Sequence, residues 1–290
     1  VKVGGQALAD GVLMRTSRAW AIARADGSVE VGALPPSPAA RIPVLRVVLA
    51  LGGALRLAVS RGMLGRGSSA TPTAKASVRR LNRRFLIVLA VLEAVAFLMG
   101  RLFGEIPGSD HGWTAAALTL APAAVTLAAL RLCTPQSLWR YHGAEHKAVA
   151  AHEHGVDLDD TTAVLRANRI HNRCGTNLVF VMLALGLVVR GQAPGLLQIP
   201  LFLFLLGLSA EVVTLAAKRP HWLPSRLLLG GGKLLQRWVT TAEPTAAEQA
   251  VGCLALQACL DEHARVLSLD DAAELDLAGA ATPALAACAA

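Results

Sequence analysis

Charged residues nearly vanish from four stretches of this chain and crowd the segments between them. That pattern limits the possible folds more than any other feature, because a soluble domain spreads its charges over its surface. The first stretch, Phe85 to Phe103, supplies 19 residues, close to the roughly 20 that a helix needs to cross a bilayer. The second is Trp113 to Leu130, the third the shorter Leu178 to Val189, and the fourth Leu196 to Ala217, strongly apolar except for Glu211. Lys and Arg number 14 in residues 1–84, none in 104–112 and six in 131–177; 190–198 holds Arg190 alone, and 218–290 holds six. High, zero, moderate, low, moderate is the alternation that the positive-inside rule gives for four crossings. The N-terminal region, the middle loop and the C-terminal tail then share the cytoplasmic side.

The expected fold is therefore an all-α polytopic membrane protein. It has about four transmembrane helices, a small N-terminal hairpin and cytoplasmic helices. Residues 1–41 form a cytoplasmic motif region, in which Trp20 to Val31 alternates like a hairpin around Asp26-Gly27. Residues 42–63 read as a helix lying on the membrane surface, with a further span broken by Gly52-Gly53 as the alternative. Residues 64–84 are a basic linker, 85–130 the first pair of spans, 131–177 a cytoplasmic loop, and 178–217 the second pair. A cytoplasmic C-terminal region (218–265) and an Ala-rich, poorly ordered tail (266–290) complete the chain.

Composition agrees with a membrane setting. More than half the residues are apolar and mean hydropathy is +0.49. The net charge of +8 comes with one Tyr and six Phe, too few aromatics for a nucleic-acid stacking surface. The lipid bilayer, with its anionic cytoplasmic headgroups, is the expected partner, and no nucleic acid is expected. Five cysteines, an odd number without framework spacing, argue against a disulfide scaffold. The segment opening Val1-Lys2-Val3, with Asp10 and Arg15, does not read as a signal peptide.

The chemistry gathers in the middle loop, at Tyr141-His142-Gly143-Ala144-Glu145-His146-Lys147 and at His171-Asn172-Arg173-Cys174-Gly175-Thr176. On a helix His142 and His146 share one face and can bind one divalent ion such as zinc. Glu145 is placed as the catalytic base, and His-x-x-Glu-His is the inverted zinc-peptidase pattern. Glu153 continues the face as a further carboxylate. His171 and Cys174 add an imidazole and a thiolate, and a His/His/His/Cys set suits a soft divalent metal. His152 and His154 read as solvated. Glu211, an ionisable group inside an apolar run, could snorkel, pair with Arg173 or supply a further ligand. Gly4 and Gly5 would permit a tight turn bringing Gln6 and Asp10 toward the site.

Taken together, these residues resemble the YqhQ-like family, bacterial proteins described as predicted metal-dependent membrane enzymes. The resemblance runs over nearly the whole chain. It covers Gly4-Gly5-Gln6-Ala7, Asp10-Gly11-Val12, Met14-Arg15, Tyr141 to Lys147, Glu153, Gly155 and His171. It continues through Arg173 to Thr176, Glu211, Leu235-Gln236-Arg237, Thr240-Thr241, Glu243-Pro244 and Glu248 to Ala258. Departures include Asp10 in place of Glu, Asn172 in place of Pro, and Val213-Thr214 without the Arg that often follows the intramembrane Glu. The resemblance implies a metal-dependent enzyme at the membrane and names no substrate. A hydrolase of a peptide bond or lipid-linked group at the cytoplasmic face is the first functional reading. A scaffold or metal-sensing accessory protein with a structural metal site is the second. A transporter using Glu211 is disfavoured by the lack of an internal repeat.

Overall fold

In the computed structural model of the protein, the described residues are 1–35, 134–188 and 197–287, with isolated positions between 42 and 132. They show a mixed α/β chain, which corrects the all-α expectation. Four strands, β1 (Gly4–Ala7), β2 (Gly11–Arg15), β3 (Ala19–Arg24) and β4 (Val29–Ala33), form an antiparallel sheet in the order β1-β2-β3-β4. Helices α1 (Gln136–Glu153), α2 (Thr161–Leu165), α3 (Gly175–Val188), α4 (Gln198–Lys218) and α5 (Leu223–Leu235) follow. A π-helical turn (Gln236–Thr240) and α6 (Ala246–Ala287) complete the order.

The sequence reading anticipated the β3–β4 hairpin but not the full sheet, for a physical reason. Alternation marks a strand with one wet face, whereas β3 is buried at every position and β2 at all but Arg15. Only β4, with its strictly alternating exposure, carries the two-residue period. The turn around Asp26-Gly27 is the β3–β4 connection. Gly27 takes a positive φ of 82°, a conformation that costs glycine little, and the Asp26 carboxylate accepts from the Ser28 N–H and hydroxyl. The β2–β3 turn is closed by Thr16, whose hydroxyl oxygen accepts from the Ala19 N–H at 3.0 Å.

Among the described residues one helix is long and apolar enough to cross a membrane, at Pro200–Lys218 within α4. The third expected run coincides with α3, whose apolar part, Gly175–Leu185, is too short to qualify. The runs 85–103 and 113–130, and the segments 42–63 and 64–84, lie for the most part outside the described residues.

The chain divides into two compact units. The first comprises Val1–Ser37, Ser137–Arg169 and Glu243–Ala290. Its core joins Val12, Met14 and Ala21 of the sheet to Tyr141 and Ala148 of α1 and to Leu256 and Cys259 of α6. The second comprises Pro38–Gln136 and Ile170–Ala242, where α3, α4 and α5 pack on one another around Val181, Val213 and Leu229. Leu256 is fully buried in the first core, so Leu256→Ala is expected to cost about 2–5 kcal/mol. Leu269→Ala on the exposed side of α6 should stay within about 0.5 kcal/mol. Thermal unfolding followed by circular dichroism measures both.

Candidate metal centre

Helix α1 carries three consecutive polar residues that water barely reaches. Glu145, His146 and Lys147 are 7%, 4% and 5% exposed. Successive helical side chains point about 100° apart, so no single neighbour can satisfy all three. Each instead finds a backbone group from a different segment. The Gly5 N–H of β1 donates to the Glu145 carboxylate. His146 Nδ1 lies 2.6 Å from the Arg169 carbonyl, and Lys147 Nζ donates to the Leu165 carbonyl at 2.6 Å.

Each of these contacts has a chemical consequence. A carbonyl can only accept, so His146 Nδ1 carries a proton, and in the neutral ring Nε2 then keeps the lone pair a metal-binding imidazole needs. Burial pushes the Glu145 carboxyl up to about 8, against the opposing effect of the Gly5 hydrogen bond. Gly5 lies in a strand rather than a turn, paired with Met14. A Cβ on Gly5 would come within 2.7 Å of Glu145 Cγ, so glycine is what lets β1 approach the carboxylate.

His142 and His146 stand edge to face, with ring centroids 4.5 Å apart and planes at 67°. The ligand atoms of His142, His146 and Cys174 all lie within 4.8 Å of one another. This group could hold a metal ion: His142 is half-buried, and His146 and Cys174 are buried. Cys174 immediately precedes α3, and its Sγ accepts from the Thr176 N–H at 3.4 Å. Backbone N–H groups at a helix start favour a sulfur bearing negative charge.

The other residues singled out from sequence lie outside this converging group. His171 Nδ1 accepts from the Arg173 N–H at 3.3 Å. The His171 peptide is gripped by Gln236, whose Oε1 accepts its N–H at 2.8 Å and whose Nε2 donates to its carbonyl at 3.0 Å. Asn177 Nδ2 donates to the carbonyls of His171 and Asn172. Arg173 is exposed, as is Glu153 at the end of α1. Asp10 faces Arg24, with Nη1 3.4 Å from both carboxylate oxygens. Gln6 is half-buried in β1 opposite Leu13. Glu211 Oε1 accepts from the Val44 N–H at 3.1 Å.

Residues not singled out from sequence brace the centre. Glu243 takes Lys147 Nζ at 2.8 Å and Arg169 Nε at 2.9 Å, tying α1 and the segment after α2 to the start of α6. Buried Gln249 donates to the Ala144 carbonyl from α6 at 3.1 Å. In the sequence Lys147 and Glu243 stand only among the residues that carry a resemblance, and charge alone reads as solvated surface.

Burial raises the Glu243 carboxyl, yet the hydrogen bonds and charges of Lys147 and Arg169 outweigh it and hold the group below its ordinary 4.5. A lowered carboxylate stabilises the fold above its unfolded value and loses that contribution as pH falls through its folded value. Unfolding measured against pH should therefore show an acid-side loss of stability below about 4.5. That loss should be smaller in Glu243→Gln, which also starts less stable at neutral pH.

Residues 127–262 match a family model described as "Protein of unknown function (DUF1385)". The chain is 26% identical over 277 residues to "Uncharacterized protein YqhQ" of Bacillus subtilis (strain 168), covering 83% of this chain and 86% of that one. No solved structure matches. The matched region takes in α1 with His142, Glu145 and His146, as well as Cys174 and Glu243. Residues 127–262 thus resemble the DUF1385 family, and the chain is similar to YqhQ over most of its length.

Proposed function

We propose that this chain is a metal-dependent hydrolase of the cell membrane, with zinc held by His142, His146 and Cys174 and with Glu145 as the general base. The observation that carries this reading is the convergence of two imidazoles and one thiol within 4.8 Å. Two nitrogens and one sulfur are a donor set suited to zinc. Three protein donors are the number found in catalytic zinc sites, where a fourth position stays open for water or substrate. When bound, the ion supplies Lewis acidity and a water acidified toward neutral pH.

The chain's own residues set up the rest. The Arg169 carbonyl fixes the His146 tautomer, and the Gly5 N–H holds the Glu145 carboxylate. Burial raises the Glu145 carboxyl to about 8 in the metal-free protein, so a neighbouring dication, which favours the ionised form, would be needed to bring it to the carboxylate that a base requires. The helix Pro200–Lys218 supports membrane attachment. The distribution of Lys and Arg supports more than one crossing, with both ends and the centre on the cytoplasmic side. The substrate class that fits is a peptide bond or lipid-linked group reached from that side.

Two measurements test this. Purified protein is expected to hold zinc in stoichiometric amount, and His142→Ala/His146→Ala to lose it; equal metal content in both would refute the centre. With zinc-loaded protein in vesicles, hydrolysis of peptide or lipid-linked substrates should fall by at least about 100-fold in Glu145→Gln. Metal content should not change in that variant. Undiminished activity in Glu145→Gln would instead assign the metal a structural role.

A further inference from the structure

Helix α5 has two opposite faces, and among the described residues of its unit only one is packed. Ser225, Leu229 and Gly232 are buried, and the helix packs against α3 and α4. The opposite stripe holds Leu223, Leu227 and Leu234, 64%, 69% and 61% exposed. It is bracketed by Trp222 before the helix and Trp238 in the π-helical turn after it, both more than half exposed. Spacings of four and seven residues keep the three leucines on one line of the helix.

Charge identifies what covers the stripe. Arg226 and Lys233 fall along one of its edges, at helical angles between the stripe and the buried face, and exposed Arg237 follows in the π-helical turn. Lys218 and Arg219 precede the helix, and no Asp or Glu occurs from 212 to 242. The chain as a whole carries +8, so a second copy offers the wrong sign for this edge. Anionic phospholipid headgroups offer the right one, with acyl chains beneath them for the leucines. Exposed tryptophans at both ends suit the boundary between hydrocarbon and water. Continuity points the same way, because α5 begins five residues after the apolar helix α4 ends at Lys218.

We propose that α5 lies in the headgroup layer of an anionic membrane, its leucine stripe inserted and its basic edge against lipid phosphates. This rests on the reading of Pro200–Lys218 as a membrane span. A helix so seated is buried roughly 5–10 Å into the interface, and each cation beside an anionic leaflet favours binding by on the order of fivefold. The surface helix expected from sequence at 42–63 is a different segment; α5 was read from sequence only as part of a cytoplasmic tail.

The test uses the full chain reconstituted into phosphatidylcholine vesicles, with or without about one-third phosphatidylglycerol. Resistance to alkaline carbonate extraction reports membrane integration, and a chain released by carbonate overturns the spanning reading itself. Bromine atoms placed high or low on the lipid acyl chains then quench tryptophan by depth. The signal of the pair is the wild-type emission minus that of Trp222→Phe/Trp238→Phe. Either single Phe variant supplies the corresponding difference for one tryptophan should the double variant fail to accumulate.

In integrated protein, the shallow bromines are expected to quench the pair roughly twofold more than the deep ones. Phosphatidylglycerol should shift the pair's emission to the blue, and Arg226→Gln/Lys233→Gln/Arg237→Gln should abolish that shift. An integrated chain whose pair is quenched by neither lipid overturns the proposal, because the stripe is then covered by protein or faces water. Dominant deep quenching also overturns it, because the helix then crosses rather than lies on the surface.

Discussion

Burying three consecutive polar side chains on one helix is the constraint around which the first unit is organised. Glu145, His146 and Lys147 would each cost several kcal/mol if dehydrated without partners. Their directions differ by about 100° per residue, so partners must come from three sides. The Gly5 N–H, the Arg169 carbonyl and the Leu165 carbonyl provide them. Backbone groups suit this task because they cannot swing away as a surface side chain can. The N-terminal sheet, the segment through α2 and the start of α6 are thereby all committed to one turn of α1.

That commitment explains why the centre is chemically defined before any ion is considered. The His146 tautomer follows from its carbonyl partner, and the approach of β1 to Glu145 depends on glycine at position 5. Lys147 and Arg169 meet at Glu243, so the two segments that hold His146 and Lys147 are braced against the same carboxylate. The surface ion pair of Arg169 contributes little by itself. The buried Lys147 ammonium is different, since removing Glu243 leaves that charge with a carbonyl as its remaining partner shown here.

Much of the centre was legible in the sequence, and for local reasons. His142, Glu145 and His146 lie within five residues, so helical geometry alone puts the histidines on one face. Cys174 was legible as a soft donor near a second histidine, although it is Cys174 and not His171 that joins the converging group. The bracing residues were not legible. Lys147 and Glu243 are nearly 100 positions apart in the sequence, and nothing in either residue's neighbours marks a charge that will be buried. The sheet was half legible, because only β4 and its turn carry the alternation of a strand with one wet face.

By itself the sequence determined what depends on near neighbours. This includes the shared face of the two histidines, the apolar helix ending at Lys218, the turn at Asp26-Gly27, and the uneven placement of positive charge that favours a membrane. The tertiary structure alone decided that Gly5 reaches Glu145, that His146 is proton-bearing at Nδ1, and that one leucine stripe of α5 is exposed. The physical reason is separation along the chain. Periodicity and charge reveal contacts made within a turn or two, whereas a backbone group brought from 140 residues away leaves no local trace.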